Sequence, residues 1–98
     1  MNKGYWIAAY RSVSDELSLK AYGKLAEVAI AAHDGTFLVR TAEAIEPHEA
    51  GLKQRTVIIE FASVELARQA YASPAYQAAL QVLGSAAERD FRIVEGYG

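Results

Sequence analysis

The chain contains no cysteine, which removes disulfide frameworks, thiolate metal sites and cysteine nucleophiles together and makes the reducing cytoplasm the expected compartment. Histidine occurs only at His33 and His48. Neither sign of charge dominates: 10 Lys and Arg face 12 Asp and Glu, for a formal charge of -2. With no run of like charges there is no basic field to gather phosphates, so nucleic acid and anionic membranes are excluded as expected partners. No apolar run approaches the ~20 residues of a membrane span, and Met1-Asn2-Lys3-Gly4 leads into an alternating aromatic segment without a signal-peptide core. Internal repeats, low-complexity tracts, a Gly-x-Ser-x-Gly elbow and a phosphate-cradling glycine loop are all missing, and nothing calls for a cofactor.

What remains is apolar material, 52% of the residues, in a length suited to one domain over residues 1–98. A chain this short buries only roughly 60 to 65% of its unfolded surface when it folds alone. The apolar content exceeds the need of one small core, and a subunit interface is the expected place for the surplus.

Tyr5 to Arg11 is aromatic or aliphatic at both parities, the mark of a central strand with two covered faces. Ser14 then offers a cap with Asp15 and Glu16 in the first turn, and Leu19, Tyr22, Ala26, Ala29 and Ile30 follow as a helical stripe ended at His33-Asp34-Gly35. Thr36 to Arg40 reads as a second strand reaching toward Ile45, and Glu46 to Lys53, broken by Pro47 and Gly51, as the loop to a third. That third strand, Arg55 to Phe61, alternates Val57, Ile59 and Phe61 with Thr56, Ile58 and Glu60. Ser63 caps the next helix, Ser73-Pro74 starts a fresh helical piece because proline fits a first helical position and breaks an interior, and Phe91 to Glu95 closes the chain as a strand.

The order β-α-β-β-α-β, with right-handed crossovers, predicts an α+β ferredoxin-like fold: a four-stranded antiparallel sheet with the first and third strands central and the helices on one face. The other face, assigned the parity of Trp6, Ala8, Tyr10, Ile58 and Glu60, then needs a second subunit, and Trp6 is expected at that interface. The expected assembly is a homodimer.

With those residues placed, the chain resembles the family called domain of unknown function 1330. The likeness runs through Gly4-Tyr5-Trp6-Ile7-Ala8, Gly35-Thr36-Phe37-Leu38-Val39-Arg40, and Val57-Ile58-Ile59-Glu60-Phe61 with Ala67, Tyr71, Ser73-Pro74 and Tyr76-Gln77. It implies the dimeric α+β barrel superfamily, in which two ferredoxin-like subunits pack sheet to sheet and a pocket lies between each sheet and its helices. Its branches include cofactor-free monooxygenases, haem-degrading enzymes, muconolactone isomerase-like proteins and stress-responsive proteins. No catalytic residue carries over from the resemblance.

Read as chemistry, Glu60 with Arg40 and Arg55 is the most suggestive group, a carboxylate among guanidinium groups that can orient an acidic or enolic ligand or tie two subunits together. Tyr10, Tyr71 and Tyr76 are candidates to line a pocket and donate phenolic hydrogen bonds, against the plainer reading that aromatics at these spacings are core. His33 suits a helix C-terminus, where a cation is favoured. His48 with Glu46 and Glu49 lacks the second histidine of a firm site, so no metal is assigned. Two functions follow: a small-molecule binder or cofactor-free monooxygenase- or isomerase-like enzyme using the sheet-helix pocket, or a dimeric module without such chemistry.

Overall fold

The computed structural model describes residues 2–98. Four strands, β1 (Gly4–Val13), β2 (Thr36–Thr41), β3 (Thr56–Phe61) and β4 (Ala87–Glu95), form one sheet in the order β2-β3-β1-β4, every pair antiparallel. Helix α1 (Glu16–Ala31) links β1 to β2, and α2 (Val64–Ala72) with α3 (Pro74–Leu83) links β3 to β4. This is the ferredoxin-like arrangement, with β1 and β3 central and the helices on one face.

Local chemistry sets each boundary. Asp15, not Ser14, caps α1 by accepting from the Ser18 amide at 3.1 Å, while the Ser14 hydroxyl and amide reach the Ala86 carbonyl and tie the start of α1 to β4. After α1 the left-handed residue is Asp34, at φ 57°, rather than Gly35. Gly35 is required for space: a Cβ there would stand 2.6 Å from Ile30 Cγ2 and 2.8 Å from Phe61 Cε1. Strand β2 stops at Thr41, whose hydroxyl accepts from the amides of Glu43 and Ala44 and turns the chain short of Ile45. One side chain serves two helices at Ser73, which donates to the Ala70 carbonyl at the end of α2 and accepts from the Tyr76 amide at the start of α3. Strand β4 begins at Ala87, four residues ahead of the Phe91 start read from the sequence.

The face assigned to β1 is the main correction. Register pairs Trp6 with Ile59 and Ala8 with Val57, and directly paired residues share a face, so Trp6, Ala8 and Tyr10 lie under the helices with Val57, Ile59 and Phe61. Trp6 is 1% exposed within its own subunit, and its indole N–H donates to the Ala67 carbonyl in α2 at 2.8 Å. Both parities of β1 are apolar, so hydrophobicity alone does not choose between them. The choice falls on the parity that carries the largest ring and that begins at Gly4, where a Cβ would meet the Ser63 carbonyl oxygen at 2.5 Å. Tyr5, Ile7 and Ala9 instead share the helix-free face with Thr56, Ile58 and Glu60.

Fully buried alanines, Ala29 in α1, Ala67 and Ala70 in α2 and Ala79 in α3, let the helices lie close to the sheet and to one another. Around Trp6 the core is aromatic: its ring centroid lies 4.7 Å from Tyr76, 5.1 Å from Phe61 and 5.3 Å from Phe91. Tilted and edge-on pairs of this kind add about 0.5–1.5 kcal/mol each beyond the area they bury.

Candidate functional site

Between α1 and the sheet the packing leaves a cavity of about 30 Å³, walled by apolar side chains including Trp6, Leu19, Ile59 and Phe91. That is room for one or two waters. Among the described residues three arginines reach its wall, Arg40 from β2, Arg55 from the residue before β3 and Arg89 from β4, and no carboxylate does. The register explains the convergence: Arg40 pairs with Val57 and Arg89 with Tyr10, each partner being a helix-facing residue.

The three guanidinium groups have different surroundings. Arg40 lies 4.7 Å over the Phe37 ring and pairs with Glu27 of α1 at 3.4 Å, half in solvent. Gly23 of α1 makes room for it, since a Cβ there would come 3.1 Å from the Arg40 Nη2. Arg89 sits among rings, 5.6 Å from Tyr10, 5.2 Å from Tyr22 and 5.1 Å from Phe91, and donates to the hydroxyls of Tyr22 at 3.0 Å and Tyr76 at 3.5 Å. Arg55 lies 5.9 Å from the Tyr10 ring, and its Nε is buried without a hydrogen-bond partner.

The Tyr22 and Tyr76 hydroxyls share a bond of 2.7 Å in the buried interior. Burial above all raises both phenols beyond their ordinary value of 10.0, with the positive field of Arg89 pulling the other way. Both are therefore protonated donors at neutral pH and poor general bases. Desolvation works against the charge of Arg89, but the tyrosine oxygens outweigh it and its pKa is raised, so it stays a cation.

Of the residues singled out in the sequence, Tyr10, Arg40 and Arg55 come together on this cavity. Tyr76 stands behind it, touching it through Tyr22 and Arg89. Tyr71 is core packing, 5.2 Å from Phe91 and 5.3 Å from Tyr76. Glu60 is apart from both arginines. It projects from the helix-free face, where it accepts from the Tyr5 hydroxyl at 3.2 Å and pairs with Lys3 at 3.5 Å. His48 bonds Glu46 on an exposed loop, and among the described residues no three potential metal ligands gather. His33 bonds its own helix at the Ala29 carbonyl.

Tyr22 and Arg89 also line the cavity and are not among the candidates the sequence offers. Tyr22 belongs to the helical stripe of α1, and Arg89 precedes the Phe91 start read from the sequence. The available signal was parity, because Arg89, Phe91 and Ile93 alternate onto one face.

A family model matches residues 3–97 of the chain. The chain belongs to the family described as Domain of unknown function (DUF1330). No curated protein matches the sequence. Among solved structures, this DUF1330 chain is similar to a protein of unknown function from Rhodopseudomonas palustris, with 14% identity and a TM-score of 0.72 over 99% of this chain and 84% of that one. It is also similar to SnoaB, a cofactor-independent oxygenase from Streptomyces nogalater, with 12% identity and a TM-score of 0.62 over 100% of this chain and 96% of that one. A dimeric ferredoxin-like protein of unknown function from Thermobifida fusca shares 14% identity and a TM-score of 0.55 over 97% and 92%. At these identities the DUF1330 chain shares the fold with its neighbours. Among the described residues no helix is long and apolar enough to cross a membrane.

Proposed function

We propose that this protein binds a small, partly apolar organic molecule across the cavity between its sheet and α1 and the outer groove that continues it. The supporting observation is the cavity itself, an apolar recess with a few convergent polar groups in a core otherwise closed by aromatic packing. It does not end at its inner walls. An outer groove of about 420 Å³ between α1 and the arginines shares Leu19, Gly23, Arg40 and Arg55 with it, so a ligand has a path inward past the Arg40–Glu27 pair. The likeness to a cofactor-independent oxygenase makes cofactor-free monooxygenase- or isomerase-like chemistry the reaction class to test first.

The test is thermal melting and emission of the only tryptophan, Trp6, which lines the cavity, against phenols, enols and haem. A ligand of the site raises Tm and changes the emission. Silence of both signals across the whole panel contradicts the assignment.

The second part of the proposal is a homodimer through the helix-free face. Tyr5, Ile7, Ala9, Ile58 and Val94 there are covered by no helix, and the subunit is a slab of 36 × 32 × 17 Å. Its broad face is large enough for the roughly 800 Å² per partner of a standard interface. If no ligand is found, a dimeric module without small-molecule chemistry is the reading this face supports.

A further inference from the structure

We infer that the molecule taken up by the cavity is an organic monoanion, a carboxylate or enolate on an apolar body, whose charged oxygen lies against Arg55 and the Tyr22–Arg89 pair. This presupposes the ligand site proposed above and adds the chemical class. The inference comes from counting donors and acceptors. Arg55 Nε is buried with no hydrogen-bond partner, and a buried unpaired donor destabilises the fold unless something supplies an acceptor. The two tyrosine hydroxyls carry one proton each, and only one of these can occupy their mutual bond. Arg89 donates to both and accepts from neither. Among the described residues no carbonyl or carboxylate accepts from either hydroxyl, so one phenolic proton is left over. Tyr22 lines the cavity and Tyr76 does not, so the arrangement in which Tyr76 donates to Tyr22 presents that proton inward.

Charge points the same way. Among the described residues three arginines and no acid line the cavity; the outer groove adds two carboxylates, Glu16 and Glu27, the second paired with Arg40, and two lysines, Lys20 and Lys24, so the site as a whole is positive. Aromatic faces against Arg89 offer a diffuse attraction but no lone pair. A carboxylate or enolate supplies the missing acceptors and the missing negative charge together, through charge-assisted bonds. Size assigns the parts of the ligand: about 30 Å³ receives the anionic group, while the apolar body occupies the mouth between Leu19 and Gly23 of α1 and Arg40.

Benzoate, benzamide and benzylamine, three probes of one shape and different charge, test this by calorimetry with Trp6 emission as the site reporter. Benzoate is expected to bind at least about tenfold more tightly than benzamide, and benzylamine not at all, since a charge-assisted bond is stronger than a neutral one. Arg55→Gln, its fold checked by near-ultraviolet circular dichroism, should lower benzoate affinity at least about tenfold and leave benzamide unchanged. Arg55→Lys should restore part of the difference. Equal binding of benzoate and benzamide, or preference for benzylamine, overturns the anion assignment and leaves the cavity as a ligand site. If none of the probes disturbs Trp6, cavity and anion assignment fail together.

Discussion

Replacing Tyr76 by phenylalanine removes one oxygen from the least accessible part of the molecule. The ring, 0% exposed, keeps its neighbours Trp6 at 4.7 Å and Tyr71 at 5.3 Å, so no cavity larger than the lost oxygen opens. What goes is the 2.7 Å bond to the Tyr22 hydroxyl and the 3.5 Å contact from Arg89. A stranded buried polar group costs roughly 1–3 kcal/mol. In a domain of this size each kcal/mol moves Tm by roughly 4–8 °C, so Tyr76→Phe should melt roughly 5–20 °C below the parent. The assay is urea and thermal unfolding followed by circular dichroism, with an unchanged urea slope to show that the folded and unfolded states are otherwise the same. Tyr71→Phe is the control, because that ring packs without a hydroxyl bond and should lose no more than about 0.5 kcal/mol. A Tyr76→Phe loss below about 0.5 kcal/mol would refute the claim that the buried bond between the two phenols holds the fold together.

Other perturbations separate the remaining parts of the account. Because the folded pKa values of Tyr22 and Tyr76 are raised above the ordinary 10.0, the stability they contribute is complete below about pH 10 and is lost as pH rises through the folded values. In an alkaline titration followed by phenolate absorbance, these two should ionise last or only on unfolding, and early uniform ionisation of all six tyrosines would contradict their burial. Ser73→Ala removes the cap of α3 and the hydroxyl bond that closes α2, and should cost about 1 kcal/mol in urea unfolding, with Ser73→Gly milder. Gly4→Ala drives a Cβ into the backbone of Ser63 and Val64 at 2.5 to 2.6 Å, which should cost at least the upper end of the roughly 1–3 kcal/mol range for overpacking. Light scattering should give twice the 10.7 kDa chain mass, and Ile58→Lys, placed opposite Ile7 on the helix-free face, should halve it without loss of helix content.

Much of this fold is legible in the sequence because its local signals agree. Ser63, Ser73-Pro74 and the Leu19-Tyr22-Ala26-Ile30 stripe each specify an element whatever the tertiary context. The alternation of Val57, Ile59 and Phe61 gives β3 a buried side, and that side is the one observed. The face of β1 was not legible from polarity, since Tyr5 and Ile7 are as apolar as Ala8 and Tyr10. One quieter signal points correctly: Gly4 shares the parity of Trp6, and a glycine in a strand marks close approach of another backbone. The site was harder. Arg40, Arg55 and Tyr10 could be named as candidates, but grouping them with Glu60 required the faces to be known, and the register puts Glu60 on the opposite side of the sheet. Tyr22 reads in the sequence as any other member of a helical stripe, because what sets it apart is a hydrogen-bond partner 54 residues away.

The anion-binding cavity is tested most directly by a crystal structure grown with benzoate at a resolution that shows ordered solvent. An anion site places a benzoate carboxylate oxygen, not a water, within hydrogen-bond distance of Arg55 Nε in the space bounded by Tyr10, Tyr22 and Arg89. A cavity closed by apolar side chains, with Arg55 turned out into solvent, would contradict it.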